Sequence, residues 1–248
     1  MLKTAIKAAK QAGKILMKQY GRVKIKYKSA SFDAASIVTQ ADIESEKKIV
    51  EILKKKFPFH NIFSEEKIQE NNGSEYTWYI DPLDWTSNFT RKIPLFGISI
   101  ALARNNQSIL GVLYFPLLKL LVYAEKNKGA FANNKKIHVS DRELKKSLYY
   151  SWGYYKGEIQ LEESIAEQVG LVKIIDASSY EFAQIAMWDA ELYILSNVPH
   201  DVAAWAIIVR EAGGKVTDYD NSERNIQSKG IVASNKTIHN KVINILNK

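Results

Sequence analysis

Apolar positions near the start of the chain recur with helical spacing. Residues 4–20 carry Ile, Ala, Leu, Met and Tyr side chains on one helical stripe, and residues 42–57 repeat the pattern. Such spacing places the apolar side chains on one face, so it predicts two amphipathic helices. Residues 24–36 between them are polar and lack a clear period, which fits an ordinary connector and a lid over a site equally well.

Strand patterns follow the second helix. Across residues 76–125, β-branched and aromatic runs alternate with short turns, and Asn133-Asn134 marks a further hairpin, which predicts an antiparallel meander. Beyond residue 140 strands alternate with helices, as in an α/β unit. We therefore predict an α+β lobe at residues 1–138 that carries metal-binding motifs, and an α/β lobe at residues 139–248 that completes the site.

The composition is that of an ordinary globular protein. At 248 residues and 46% hydrophobic, the chain can bury a full core. No apolar run reaches the about 20 residues that a membrane span requires, and no signal peptide precedes the first helix, so we expect a cytoplasmic protein. Because cysteine is absent, carboxylates, hydroxyls and four histidines remain for any chemistry. A bound metal would therefore have oxygen ligands.

The charge balance is basic. The formal net charge is +8, from 35 Lys and Arg against 27 Asp and Glu. These basic residues are scattered, without an arginine-rich arm or a basic block interleaved with aromatic residues. We therefore predict no nucleic-acid and no membrane partner, and the remaining positive field favours a small phosphorylated substrate.

Two carboxylates mark the end of an apolar strand. Asp81 and Asp84 lie on either side of Pro82-Leu83, directly after Trp78-Tyr79-Ile80. A carboxylate buried without a partner costs several kcal/mol, so each must be solvated, hydrogen-bonded or bound to a cation. One interpretation is a site for a hard metal ion. The alternative is a strand, a turn and a helix in which Asp84 or Thr86 caps free N–H groups.

Four further motifs accompany this turn. They are Ile37-Val38-Thr39-Gln40-Ala41-Asp42, Asn61-Ile62-Phe63-Ser64-Glu65-Glu66, Asn127-Lys128-Gly129-Ala130-Phe131 and Pro199-His200-Asp201-Val202-Ala203-Ala204. With these motifs in this order, the chain resembles the inositol monophosphatase family of metal-dependent, lithium-sensitive phosphatases over nearly its whole length. The resemblance implies a layered α-β-α-β-α sandwich of the sugar-phosphatase type, with the site between the lobes, and a homodimer.

The resemblance also implies a magnesium site. Glu65, Asp81 and the Leu83 carbonyl would hold one ion, and Asp81, Asp84 and Asp201 a second, with a third and weaker ion near Glu65. Phosphate monoesters hydrolyse very slowly in water, and two metal ions both neutralise the phosphoryl oxygens and activate the attacking water.

The remaining site residues follow from the same resemblance. Thr86 backed by Asp42 would be the base, and with Glu65 they form the predicted catalytic set. Without the resemblance, Asp42 would be interpreted as a helix cap. The predicted substrate contacts are Trp85, Thr86, Ala177 and Ser178.

Two positions depart from the family's pattern. Trp85 stands where the family nearly always has Gly, and His200 stands where it usually has Trp. A large ring at position 85 would narrow the site, or spoil the turn if that position requires positive φ. We predict that Trp85 and His200 lie close together across the site. The family's acid that contacts substrate has no clear match in residues 189–193.

We therefore predict a magnesium-dependent phosphomonoesterase acting on a small sugar or polyol phosphate, namely inositol monophosphate, fructose-1,6-bisphosphate or both. One alternative is a nucleotidase acting on 3′-phosphoadenosine 5′-phosphate. Another is a homologue that binds ligand without catalysis, because Trp85 has disabled the site.

Overall fold

A computed structural model describes most of the chain. The described residues are 1–22, 24, 26–27, 37–151, 159–196, 202–223, 225–226, 228 and 230–247. Their helices are α1 (Leu2–Gln19), α2 (Gln40–Lys56), α3 (Thr86–Arg91), α4 (Ile159–Ala166), α5 (Ser178–Ala186), α6 (Val202–Glu211) and α7 (His239–Leu246), with a 3-10 turn at Leu144–Lys146. Within these ranges, no helix is both long and apolar enough to cross a membrane.

The strands are short at both ends of the chain and longer in the middle. They are β1 (Lys26–Tyr27), β2 (Ile37–Val38), β3 (Asn61–Ser64), β4 (Gln69–Glu70), β5 (Tyr76–Asp84), β6 (Gly97–Arg104), β7 (Gln107–Phe115), β8 (Leu120–Glu125), β9 (Ala130–Ala132), β10 (Lys135–Ile137), β11 (Leu148–Tyr150), β12 (Leu171–Lys173), β13 (Leu192–Ser196), β14 (Lys215–Thr217) and β15 (Gly230–Ser234).

The predicted amphipathic helices are α1 and α2, which pack on each other. A capping box starts α2: the Thr39 hydroxyl accepts the Ala41 N–H at 3.1 Å, and the Asp42 carboxylate accepts the Thr39 N–H at 2.7 Å. The cap residue is therefore Thr39, and interpreting Asp42 as the cap itself is wrong. Between these helices β1 pairs with β2, and residues 28–36 lie outside the described residues, so the choice between connector and lid stays open.

One large sheet follows α2. Its strand order is β10-β9-β8-β7-β6-β5-β3-β4, and among its neighbouring pairs only β3 and β5 run parallel in the described chain. This confirms the predicted meander. The Asn133-Asn134 hairpin is confirmed too, because both residues have positive φ, at 46° and 67°, as a tight hairpin turn requires.

A smaller sheet is formed by the C-terminal part of the chain. Its order is β12-β11-β13-β15-β14; β11 runs parallel to both of its neighbours, whereas β15 is antiparallel to β13 and β14. The alternation of strands and helices predicted beyond residue 140 is therefore confirmed.

Three hydrophobic cores separate five layers. The first lies between the α1–α2 pair and one face of the large sheet, and the second lies between the other face of that sheet, the α5–α6 pair and the small sheet. The third core joins the outer face of the small sheet to α4 and α7. This order of layers is the α-β-α-β-α sandwich that was predicted. Because α5 and α6 pack against both sheets, the two lobes share a core, and their boundary between residues 138 and 139 stays a prediction.

Close packing sets α6 directly on the large sheet. A β-carbon added to Gly111 of β7 would lie 2.6 Å from the Ala204 carbonyl oxygen of α6. Only glycine allows this approach without displacing the helix. The absence of a side chain at Gly111 therefore lets the first turn of α6 (Val202–Glu211) lie directly on β7.

Candidate active site

The parallel pairing of β3 with β5 brings two acids together. Ser64 is paired with Ile80, and the Glu65 N–H donates to the Ile80 carbonyl at 3.0 Å. Glu65, which follows β3, and Asp81, which lies in β5, are therefore at the same end of two neighbouring strands.

Strand β5 continues past its proline. The expectation that the strand stops at Pro82 is wrong, because β5 extends to Asp84 through a bulge between Asp81 and Asp84. A proline cannot donate a ladder hydrogen bond, which is why strands tolerate it at bulges. Ser45 of α2 donates its hydroxyl to the Pro82 carbonyl at 2.7 Å, and the Leu83 N–H donates to Asp81 Oδ1 at 3.0 Å.

Asp81 and Asp84 are buried and in contact. Their exposed fractions are 4% and 7%, and their carboxyl groups share a hydrogen bond. Burial raises the pKa of Asp84 to about 7; the charge of Glu65 adds to the increase, and a contact with Ser179 of α5 opposes it. Oxygen donors crowded in this way favour a bound cation, because a positive charge replaces the proton that one of them would otherwise hold. The donor set therefore fits magnesium.

The fourth predicted carboxylate is not among the described residues. Asp201 lies outside them, immediately before α6, and so does His200, which leaves its predicted contact with Trp85 as a prediction. In the part of the chain that is described, no three His, Cys, Asp or Glu side chains come together in a geometry that could hold a metal ion.

Thr86 and Asp42 form a hydrogen-bonded pair. Thr86 Oγ1 lies 2.8 Å from Asp42 Oδ1, to which it donates, and 3.1 Å from the Leu83 carbonyl oxygen. Asp42 is 1% exposed, and its Oδ2 also accepts the Thr39 hydroxyl at 2.6 Å. Burial raises the pKa of Asp42, while the hydrogen bonds from Thr39 and Thr86 lower it. The Asp42 carboxylate thus takes part in the capping box of α2 and also orients the Thr86 hydroxyl.

Trp85 has left-handed backbone geometry. Its φ and ψ are 62° and 56°, and its carbonyl accepts the N–H groups of Asn88 and Phe89 at the start of α3. A residue with a β-carbon costs about 1–2 kcal/mol in this region, whereas glycine has no such cost. The turn nevertheless forms with tryptophan in place, so the hypothesis that the ring spoils it is not supported. The side chain is half-buried.

Ala177 and Ser178, which were predicted to contact substrate, lie at the N-terminus of α5. Ala177 is the N-cap residue, and Ser178 is the first residue of the helix. Ser178 is 2% exposed, and its hydroxyl lies 3.0 Å from the Tyr193 hydroxyl. Ser178 is therefore occupied within the core, and the substrate contacts of Ala177 and Ser178 stay predictions. Ser179, the next residue, lies against Asp84.

Glu191, the buried acid within residues 189–193, has a structural role. Glu191 is 1% exposed and accepts hydrogen bonds from Arg142 at 2.7 Å, Ser140 at 2.8 Å and the Leu148 N–H at 2.7 Å. These contacts join the start of β11 to the segment before β13. They account for this acid without a substrate.

A contact that the sequence did not predict connects the lobes. The Asn88 side-chain amide donates to the Asp176 carbonyl at 2.8 Å and to the Leu95 carbonyl at 2.9 Å. Asn88 and Asp176 are 88 residues apart in the chain, and no local pattern signals their contact. This tie holds α3 next to the turn that precedes α5.

Comparison with known proteins shows the family of this chain. A family model described as "Inositol monophosphatase family" matches residues 1–248. The fructose-1,6-bisphosphatase/inositol-1-monophosphatase of Thermotoga maritima is 35% identical over 246 residues, covering 98% of this chain and 94% of that protein. The inositol-1-monophosphatase of Caulobacter vibrioides is 32% identical over 250 residues, with 96% and 97% covered. Haemophilus influenzae Nus factor SuhB is 32% identical over 256 residues, with 98% and 94% covered.

Solved structures agree with the sequence relatives. An IMPase of Thermotoga maritima superposes with a TM-score of 0.90 at 34% identity, covering 99% of this chain and 96% of that one. The fold and the similarities define a phosphoric monoester hydrolase. The chain belongs to the inositol monophosphatase family, which confirms the predicted family, fold and enzyme class.

Proposed function

We propose that the protein is a magnesium-dependent phosphomonoesterase that hydrolyses a small sugar or polyol phosphate, namely inositol monophosphate, fructose-1,6-bisphosphate or both. The observation that carries the proposal is the Thr86–Asp42 hydrogen bond, because Thr86 also lies within 3.1 Å of the Leu83 carbonyl in the segment that carries Asp81 and Asp84. One short segment therefore carries both the proposed proton acceptor, Thr86, and the proposed oxygen ligands Asp81, Leu83 and Asp84. The names of the Thermotoga and Caulobacter relatives support the substrate class.

The proposed metal ligands are Glu65, Asp81, the Leu83 carbonyl, Asp84 and Asp201, with two ions per subunit and a weaker third near Glu65. When bound, magnesium would neutralise the phosphoryl oxygens and lower the pKa of the attacking water. The burial of Asp81 and Asp84 supports this assignment, because such carboxylates need a counter-charge. Inhibition by lithium belongs to the same proposal.

Thr86 would handle the proton of the attacking water. Its hydroxyl proton is directed at Asp42 Oδ1, which leaves a lone pair on Oγ1 free to accept a hydrogen bond from that water. Asp42 keeps this orientation because Oδ2 is occupied by the N–H and the hydroxyl of Thr39. Trp85, at the start of α3, would limit the size of the substrate.

An assay of phosphate release tests the proposal. Purified protein is incubated with inositol monophosphate, fructose-1,6-bisphosphate, 3′-phosphoadenosine 5′-phosphate and 4-nitrophenyl phosphate, in magnesium and in chelator. We expect release from the first two esters in magnesium and none in chelator. Asp81→Asn should abolish it, and Asp189→Asn, an exposed control, should not. Full turnover in chelator would contradict the metal assignment.

Two alternatives predict different results in the same assay. A nucleotidase would prefer 3′-phosphoadenosine 5′-phosphate. A ligand-binding homologue without catalysis would release phosphate from no ester. The similarity to a protein named Nus factor SuhB is the reason to test this alternative. The hydrogen-bonded Thr86 and Asp42 favour catalysis. The proposed homodimer is tested separately by light scattering of the eluting protein.

A further inference from the structure

The turn before α5 carries an acid outside the proposed metal set. Asp176 has a φ of 49°, in the left-handed region that side chains other than Asn and Asp seldom adopt, and its side chain is exposed. It lies directly before Ala177, the N-cap residue of α5.

The turn is tied to α3 from one side. The Asn88 amide donates to the Asp176 carbonyl at 2.8 Å, and Asn88 is itself 5% exposed, so the hydrogen bond is shielded from water. Asn88 lies in the first turn of α3, the turn that starts with Thr86 after Trp85. Asp176 therefore lies beside the helix that carries the proposed catalytic threonine.

Glu181 lies on the other side of the turn. This buried carboxyl group is close to the N–H groups of Ile175 and Ala177, which flank Asp176. Three residues beyond Asp176, Ser179 lies against Asp84. The turn at Asp176 therefore lies one helical turn before Ser179, the residue that contacts the proposed ligand Asp84. The Asp176 side chain itself is exposed.

The Asp176 carboxylate has no partner within the described residues. No hydrogen bond or ion pair to a described residue engages it. Partial burial raises the pKa of Asp176, and burial together with the charge of Asp176 raises the pKa of Glu181 to about 8. The titratable group beside this turn, Glu181, is itself an acid, and Asp84 acts on Glu181 from further away. An acceptor in such surroundings binds neutral donors such as hydroxyl groups well, and it repels further negative charge.

We propose that Asp176 binds a hydroxyl group of the substrate and thereby selects polyol and sugar phosphates over esters without free hydroxyl groups. The inference rests on the proposed function and names the side chain that reads the alcohol portion of the ester.

The test compares Asp176→Asn with wild type on two esters. Asparagine keeps the shape and tolerates the left-handed backbone, but it loses the charge of the acceptor. For inositol monophosphate, kcat/KM should fall about 10- to 100-fold, mainly through KM, as expected for the loss of a hydrogen bond to a charged group. For 4-nitrophenyl phosphate, which has no free hydroxyl, kcat/KM should change less than about 3-fold. Asp189→Asn, an exposed acid at the other end of α5, is the matched control and should change neither.

Three other results would overturn the inference. Equal losses on both esters would make Asp176 a positioning residue, and a shifted magnesium requirement would make it a metal ligand. No loss on either ester would mean that it does not touch substrate. A wild-type protein that releases phosphate from no ester would overturn the proposed function itself, so the two failures are distinguishable. Equal thermal unfolding midpoints confirm that the variants are folded.

Discussion

Thr86 donates its hydroxyl to Asp42 Oδ1 across 2.8 Å, which joins the first turn of α3 to the first turn of α2. The other oxygen of Asp42 accepts both polar hydrogens of Thr39. A carboxylate held at both oxygens cannot rotate away, so the Thr86 hydroxyl has a fixed orientation. The capping box of a helix thereby orients a proposed catalytic group.

This relationship predicts a large effect of removing the hydroxyl. Thr86→Ala should lower kcat about 100- to 10,000-fold, as is typical when a general base is lost, whereas Thr86→Ser should keep most of the activity. Thr90→Ala is the matched control, because Thr90 lies on the same helix and donates to the Ser87 carbonyl at 2.9 Å. A Thr86→Ala variant with wild-type kcat would remove Thr86 from the mechanism.

Asp84 gives a prediction that does not depend on activity. Its pKa of about 7 is above the value in an unfolded chain, so without metal the ionised group destabilises the fold as the pH rises through 7. At pH 8 in chelator, Asp84→Asn should therefore increase the free energy of unfolding, by about 1–3 kcal/mol. Adding magnesium should raise the unfolding midpoint of wild type more than that of the variant, because the variant keeps only the ligands proposed for the first ion.

Thermal unfolding in chelator and in magnesium checks both parts. Asp189→Asn is the control, since Asp189 is exposed and distant from the proposed ligands in sequence. A variant that magnesium stabilises as strongly as wild type would show that Asp84 is not a ligand.

His239 predicts how stability depends on pH. It is fully buried, with Nδ1 2.8 Å from the Ser234 hydroxyl and Nε2 3.0 Å from the Thr217 hydroxyl. Burial, with a smaller effect of the Lys215 charge, lowers the pKa of His239 to about 4. The folded state therefore favours the neutral ring, and its stabilisation is complete above the unfolded pKa of about 6.5 and decreases as the pH falls towards 4.

The size of this effect follows from the two pKa values. Between pH 7 and pH 4.5, protonation of His239 in the unfolded chain should remove about 2–3 kcal/mol from the free energy of unfolding. His239→Gln should lose this component of the pH dependence, and the exposed His138→Gln should retain it. Denaturant titrations across this range measure it. Identical slopes for wild type and His239→Gln would contradict the assignment.

Local patterns predicted most of the fold. The amphipathic helices, the meander and the Asn133-Asn134 turn depend on neighbouring residues, and each is where the sequence places it. The extension of β5 through Pro82 was not predicted, because the bulge that accommodates the proline depends on pairing with β6. Sequence alone indicates where a strand begins more reliably than how its partner bends it.

The site was harder to predict from the sequence than the fold was. The parallel pairing of β3 and β5, which brings Glu65 next to Asp81, has no signal in residue spacing, and the resemblance to a family supplied it. The tie between Asn88 and Asp176 was not predicted, because no local pattern signals a contact between residues 88 positions apart. Contacts between distant segments are decided by packing, which one sequence does not display.

Two variants of Trp85 distinguish the effect of backbone strain from the effect of the ring on substrate selection. Its φ of 62° is unfavourable for tryptophan but not for glycine. Trp85→Gly relieves about 1–2 kcal/mol of strain and loses ring contacts and chain rigidity, so its free energy of unfolding should stay close to that of wild type. Trp85→Ala loses the same ring without the relief, and should be less stable than Trp85→Gly by about 1 kcal/mol. Denaturant titration of the three proteins measures this order, and an alanine variant at least as stable as the glycine variant would contradict it.

The same two variants test what the ring does to catalysis. If the half-buried ring narrows a working site, both variants should hydrolyse larger phosphate esters faster than wild type, with little change on small esters. If the ring blocks the site, wild type will be inactive on every ester and both variants will gain activity. Because glycine and alanine differ in strain but not in the loss of the ring, equal changes in specificity assign the effect to the side chain. A change confined to Trp85→Gly would instead assign it to the left-handed turn that starts α3.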